Sequence, residues 1–286
     1  MGEQFLIYIA KVSGILLLFY GIYQLFLNRE TFYKHNRKFL LGGIITSFVL
    51  PLVQIPTYIE VSPIDFNSAA FNSFQAGEVS SSSAYDLPQV LLLFYLVGLI
   101  YFLGQFIGQL INLFWEFKSG EKSKENGITY VQLKEGRTPF SFFKLIFFTP
   151  VGYTPKELKT ILLHEETHCS QWHSLDVLLG RCVAILLWFN PISWLYQRSI
   201  SHNLEFMADE AASSENALKS YQYTLLKVSG VPVAPVLTNA FYNSLIKKRI
   251  VMLQKSRSQK RNMLKYALVL PVLAFFMFSF NTKEIY

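Results

Sequence analysis

His164 and His168 stand four residues apart, with Glu165 directly after the first, in the run His164-Glu165-Glu166-Thr167-His168. Residues four apart share one face of an α-helix, so both imidazoles can reach a single ion. Neutral imidazole nitrogens suit Zn2+, which catalytic sites hold with three protein ligands and one open position. A carboxylate one residue after the first ligand can take a proton from the water that the metal activates, whose pKa zinc lowers to about 7. The chemistry these residues point to is hydrolysis of a peptide bond, with Glu165 as general base.

Two protein ligands leave a third to be found. A metzincin would place a His at position 174, but that residue is Ser. His173 is one position off; its expected place is beside the ligands or on the surface, paired with Asp176. Downstream, Asn203-Leu204-Glu205-Phe206-Met207-Ala208-Asp209 carries two carboxylates four apart on an expected helix. One of them can bind the metal while the other fixes a ligand imidazole through its free ring nitrogen. The two cysteines, Cys169 and Cys182, form no disulfide or ligand framework, and Cys169 reads as a packed, reduced thiol.

The pattern His-Glu-x-x-His followed by Glu-x-x-Ala-Asp, in a chain with several apolar spans, resembles the BlaR/MecR-type membrane zinc peptidases. Thr138-Pro139-Phe140-Ser141-Phe142, Trp188-Phe189-Asn190-Pro191 and Lys247-Lys248-Arg249-Ile250 extend the likeness on either side of the motifs and between them. The resemblance implies a gluzincin-like ligand set, His164, His168 and Glu205 on Zn2+, with Glu165 as base and Asp209 orienting a ligand. It implies signalling proteolysis of a cytoplasmic repressor, of the enzyme itself, or of both. A role in membrane-protein quality control would use the same residues. A non-catalytic transducer stabilised by zinc would have no need of Glu165. The chain stops at Tyr286, so the penicillin-binding sensor of the best-known members is expected to be absent. His202 and Asn203 are the candidates for the oxyanion donor.

These residues need a scaffold, and composition describes it. The 286 residues are 51% hydrophobic, 16% aromatic and only 16% charged, with a formal net charge of +7. The apolar residues cluster, which indicates membrane spans and not a soluble core. The basic residues flank those clusters, which fits cytoplasmic loops on anionic lipid better than nucleic-acid binding. Spans are expected at about 5–27, 39–58, 88–115 and 264–280. The loop at 28–38 is basic, whereas 59–87 holds four acidic residues and no Lys or Arg. By the positive-inside rule both termini are external and the catalytic unit is cytoplasmic. Within the third span, Gly104 and Gly108 are spaced to seat a neighbouring helix.

The expected architecture is an α-helical integral membrane protein with an α+β zinc peptidase domain. It divides into 1–115 with three spans, 116–263 as the peptidase, and 264–286 as the fourth span and external C-terminus. Strands are expected at 128–133 and 140–148, the second as an edge along which substrate lies. Thr154-Pro155-Lys156-Glu157 forms a capping box that starts the motif helix, expected from 155 to at least 173. The segment 175–198 is apolar, yet His168 and Glu205 must meet at one metal. It is therefore expected to be a helical hairpin broken at Asn190-Pro191, tipped by Trp188 and Phe189, with Arg181 needing a partner. A basic helix at about 243–257 would lie on lipid, and the loop at 231–243 is the expected place for self-cleavage, before Phe241. The expected partners are the lipid bilayer, a protein substrate and a second copy of the chain in a homodimer, with no direct nucleic acid.

Overall fold

Helix α1 (Gly2–Ile22) and a π-helical turn (Tyr23–Leu27) open the chain with a run charged only at Glu3 and Lys11. The structure is a computed structural model and describes residues 2–58, 87–133, 138–214, 217–230 and 240–285. Helix α2 (Tyr33–Val49) leads through a 3-10 turn (Leu50–Leu52) into strand β1 (Ile55–Tyr58). Helix α3 (Leu87–Ser119) follows. Its 33 residues span about 50 Å, well beyond a hydrocarbon core of about 30 Å. Among the described residues, three helices are long and apolar enough to cross a membrane: Glu3–Leu27, Gln89–Ser119 and Lys260–Phe280. Residues such as Ile100 and Leu93 on α3 and Phe275 on the last helix lie exposed, as a lipid-facing surface requires.

The second expected span differs from α2. The helix starts at Tyr33, carries Lys34, Arg37 and Lys38 in its first turns, and covers only about 26 Å. Pro51 lacks the N–H to continue it, and the chain extends into β1. That strand pairs in parallel with β6 (Thr282–Ile285), which follows helix α9 (Val269–Phe280). Asn281 seals the junction by donating from Nδ2 to the carbonyls of Leu50 and Val53. The far ends of α2 and α9 therefore lie side by side.

A mixed four-stranded sheet follows α3 in the order β2 (Glu121–Glu125), β3 (Ile128–Gln132), β5 (Leu145–Phe148), β4 (Phe140–Phe142). Strand β2 has five exposed polar residues and no alternation to betray it. The turn into β3 is the cause: Asn126 and Gly127 both have positive φ, the conformation a two-residue hairpin turn requires. The expected single strand at 140–148 is two strands. Phe143 adopts φ 52° and reverses the chain, its N–H donating to Ser174 Oγ at 2.7 Å. Strand β4 thus becomes an edge of the sheet.

Helix α4 (Pro155–Ser170) begins with the capping box: Thr154 Oγ1 accepts from the Glu157 N–H, and the Glu157 carboxylate accepts from the Thr154 N–H. It stops short of the expected residue 173. Trp172 takes a left-handed conformation, φ 57°, and a new helix, α5 (His173–Leu186), starts behind it. After Asn190, whose Oδ1 accepts from the Ile192 N–H, helix α6 (Pro191–Ser214) forms the return arm. Its 24 residues also carry Glu205 and Asp209.

The α5–α6 hairpin packs on α3 at its tip. Trp188 Nε1 donates to the Tyr95 carbonyl at 3.1 Å, and the Tyr95 hydroxyl donates to the Leu186 carbonyl at 3.0 Å. The indole fills the notch at Gly98, where a Cβ would come within 2.2 Å of it. The expected small-residue seat at Gly104 and Gly108 meets nothing within 4 Å among the described residues, and the close approach is made earlier on the helix, at Gly98. Lower down the hairpin, α6 joins α1, α2 and α9 in one core that includes Val12, Leu40, Tyr196, Leu204 and Phe276. Tyr196 Oη donates to the Leu40 carbonyl and Asn203 Nδ2 to that of Tyr33.

Two more helices follow the hairpin, α7 (Leu218–Val228) and α8 (Ala240–Gln254). Phe241, before which the cut is expected, lies in the first turn of α8, so a cut there would require that turn to unwind. The rest of the proposed cleavage loop, 231–239, lies outside the described residues, as does most of the acidic segment, 59–86. A 3-10 segment (Lys260–Leu268) then leads to α9. Glu30 anchors it by accepting from Lys265 Nζ at 2.5 Å and Asn262 Nδ2 at 3.2 Å.

Candidate metal centre

The four-residue spacing on α4 brings His164 Nε2 and His168 Nε2 within 3.2 Å of each other. The hairpin returns Glu205 to the same point, with Oε2 3.5 Å from the first nitrogen and Oε1 3.7 Å from the second. One ligand atom from each of the three residues lies within 4.8 Å of the others, a group able to hold a metal ion.

The hydrogen bonds behind the rings fix their tautomers. Tyr221 Oη donates to Asp209 Oδ1 at 2.6 Å and can therefore accept from His164 Nδ1, 3.0 Å away. On the other side, His173 Nε2 faces the carbonyl-type oxygen Gln171 Oε1 at 3.3 Å and must donate to it. Its Nδ1 then accepts, and His168 Nδ1, at 2.9 Å, is the donor. Both rings thus carry their proton on Nδ1 and turn the Nε2 lone pair inward. Two lone pairs and a carboxylate converging on one point need a cation, and the donor set fits a divalent metal.

Charge agrees with geometry. Burial opposes protonation of His164, but Glu205 and Asp209 outweigh it and raise its pKa. Burial also pushes Glu205 up, yet its neighbours His164 and Arg249 prevail and hold it well below the usual carboxylate range. Arg249 reaches in from α8: Nη1 meets Glu205 Oε2 at 2.8 Å, while Nη2 and Nε grip Asp209 at 2.5 and 2.8 Å. Three carboxylates, Glu165, Glu205 and Asp209, bring a formal −3 and Arg249 returns +1; a divalent ion balances the remaining −2.

The other site residues are placed as follows. Glu165 is buried beside the ligands, lines the same cavity of about 910 Å³, and makes no hydrogen bond among the described residues. His173 touches His168 because the Trp172 turn swings it back, and it does not pair with Asp176. Asp176 instead takes a bidentate fork from Arg37 of α2, whose Nη2 also donates to the Gln171 carbonyl. Asn203 faces the core, bonded to Tyr33, which removes it as an oxyanion donor; His202 lines the cavity. Cys169 packs against Ile128 and Ile146, away from the metal group, and burial raises its thiol to about 11.

Two residues in the site were assigned otherwise from the sequence. Tyr221 reads as part of an apolar stripe, and Arg249 as one cation of a basic, lipid-facing run. Tyr221 has no local signal, since it meets His164 across 57 residues of chain; Arg249 lies in the Lys247–Ile250 stretch of the resemblance, but nothing local places it at His164, 85 residues back.

Residues 146–253, from β5 to α8, match the family described as BlaR1 peptidase M56. That stretch takes in His164, His168 and Glu205, the three residues able to hold a metal ion. The chain is similar to the regulatory protein BlaR1 of Staphylococcus aureus, with 27% identity over 142 residues, which is 45% of this chain and 24% of that protein. The matched stretch thus spans about a quarter of that relative's length.

Proposed function

We propose that this protein is a membrane-embedded zinc endopeptidase in transmembrane signalling, cleaving itself, a cytoplasmic repressor, or both. The observation that carries the reading is the pair of inward Nε2 lone pairs facing Glu205, with Glu165 buried beside them in one cavity. His164, His168 and Glu205 would hold the ion. Bound there, zinc would polarise the scissile carbonyl and lower the pKa of the attacking water. Glu165 takes the proton of that water and delivers it to the leaving amine. Asp209, through Tyr221, holds His164 in its ligand tautomer, and His173 does the same for His168. Arg249 fixes the rotamers of Glu205 and Asp209 together. Substrate lies along the β4 edge, which lines the cavity at Phe140 and Phe142. The four-span topology, with external termini and a cytoplasmic site, completes the proposal; the β1–β6 pair supports it by joining the ends of α2 and α9.

The test compares wild type with Glu165→Gln on a mixture of fluorogenic peptides, with and without chelator. The amide keeps the shape and loses the basicity, so turnover should fall by about 10²–10⁴ while metal content and melting temperature hold. Full activity in the variant, or activity indifferent to chelator, contradicts the reading.

A further inference from the structure

A second cavity, of about 510 Å³, opens between α3 and the α5–α6 hairpin. It shares a wall with the metal-site cavity: Phe140, Phe142, Val177, Arg181 and Gln197 line both. Together they make a path from the metal centre to the flank of α3, a helix built to cross a membrane.

Most of the surface of α3 is apolar and exposed, as at Ile107, Ile111 and Phe114. One narrow face differs. Gln105, Gln109, Asn112 and Glu116 follow at steps of four, three and four, which keeps them on one stripe of the helix. The last three line the gap. Polar side chains at membrane depth are costly and face a partner or a wet cavity. Gln109 and Asn112 have no hydrogen-bond partner among the described residues. Across the gap, the Arg181 guanidinium lies over the Trp194 ring at 5.0 Å, and its Nε is buried without a hydrogen bond. The edge of β4, which pairs with no further strand among the described residues, adjoins them.

We infer that this gap is the substrate's way in, and that the substrate class is a polypeptide segment anchored in the membrane, reaching the metal centre sideways between α3 and the hairpin. The inference rests on the peptidase reading above. An extended backbone within the bilayer must have its N–H and C=O groups met by protein, because lipid offers no partners. Gln109 and Asn112 supply donors and acceptors, Arg181 supplies a donor, and β4 supplies an open ladder. A lipid acyl chain would leave all of these unmatched.

Capture by a photoreactive side chain tests the route independently of turnover. A benzoylphenylalanine replaces Gln109, or Ile107 on the opposite face, in the Glu165→Gln protein in proteoliposomes. The probe is a mixture of ten-residue peptides, either free or appended to an apolar helix of about 20 residues. The tethered peptides should be captured at 109 and not at 107; equal capture at the two positions, or capture of lipid alone, overturns the inference. In the active protein, Gln109→Leu with Asn112→Leu should lower the ratio of tethered to free-peptide cleavage about tenfold, as lost hydrogen bonds to a desolvated backbone would. An unchanged ratio also overturns it. Failure of wild type to cleave either form strikes the peptidase reading, whereas capture at 109 still reports the occupant of the gap.

Discussion

Arg249 grips Asp209 through two bonds, Nη2 to Oδ1 at 2.5 Å and Nε to Oδ2 at 2.8 Å. This fork pins α8 to α6 directly behind the metal group, and a third bond carries it on to Glu205. Helix α8 is thereby tied to Glu205, one of the three groups able to hold a metal ion.

Replacing Arg249 by Ala should cost stability as well as function. It leaves the Asp209 carboxylate, 2% exposed, with the Tyr221 hydroxyl but without its opposite charge, a change worth about 3–5 kcal/mol for a buried pair. Arg249→Lys restores a charge but not the planar fork, so it should recover only part of that loss. Thermal unfolding of both variants in detergent checks this; a melting temperature equal to wild type in the Ala variant would show the fork to be idle.

The tip of the hairpin makes a separate, steric prediction. A methyl at Gly98 would fall 2.2 Å from the Trp188 indole, whereas one at Gly104 meets nothing. Gly98→Ala should therefore loosen α3 from the hairpin at a cost of about 1–3 kcal/mol, and Gly104→Ala should be silent. Limited proteolysis of the purified variants distinguishes the two sites, and equal behaviour would mean that the Trp188 notch is not occupied.

The two thiols should differ in reactivity. Burial raises Cys169 to about 11, so almost no thiolate exists at neutral pH, and its sulfur is enclosed; Cys182 is exposed. Maleimide at pH 7 should label the native protein once, at Cys182, and a second time only after denaturation. Rapid labelling of Cys169 in the folded protein would place it in an open site.

What the sequence revealed was mostly local. The capping box at Thr154 and Glu157, the break at Asn190-Pro191 and the i, i+4 pairing of His164 with His168 each lie within a few residues, where spacing alone fixes geometry. Residues joined only by the fold were misread. Arg249 looked like one more cation on a basic helix, and Arg37 like one charge of a basic loop; both are half-buried partners of the buried carboxylates Asp209 and Asp176. His173 does stand beside the ligand group, one of the two places expected of it, but it meets His168 and not Asp176. Its contact with His168 depends on Trp172 adopting a left-handed conformation, which a bulky non-glycine residue does not announce. Strand β2 had one readable sign, Asn126-Gly127, because its own residues are all exposed and polar.

The zinc content of the purified protein tests the central claim most directly, measured by mass spectrometry beside Glu205→Ala and His173→Ala. The geometry around His164, His168 and Glu205 predicts one zinc per chain in wild type, and its loss in Glu205→Ala. His173→Ala should keep the ion, with affinity lowered about 10–100-fold, because His173 only orients a ligand ring. Zinc retained in Glu205→Ala and lost in His173→Ala would reverse the ligand assignment and contradict the account.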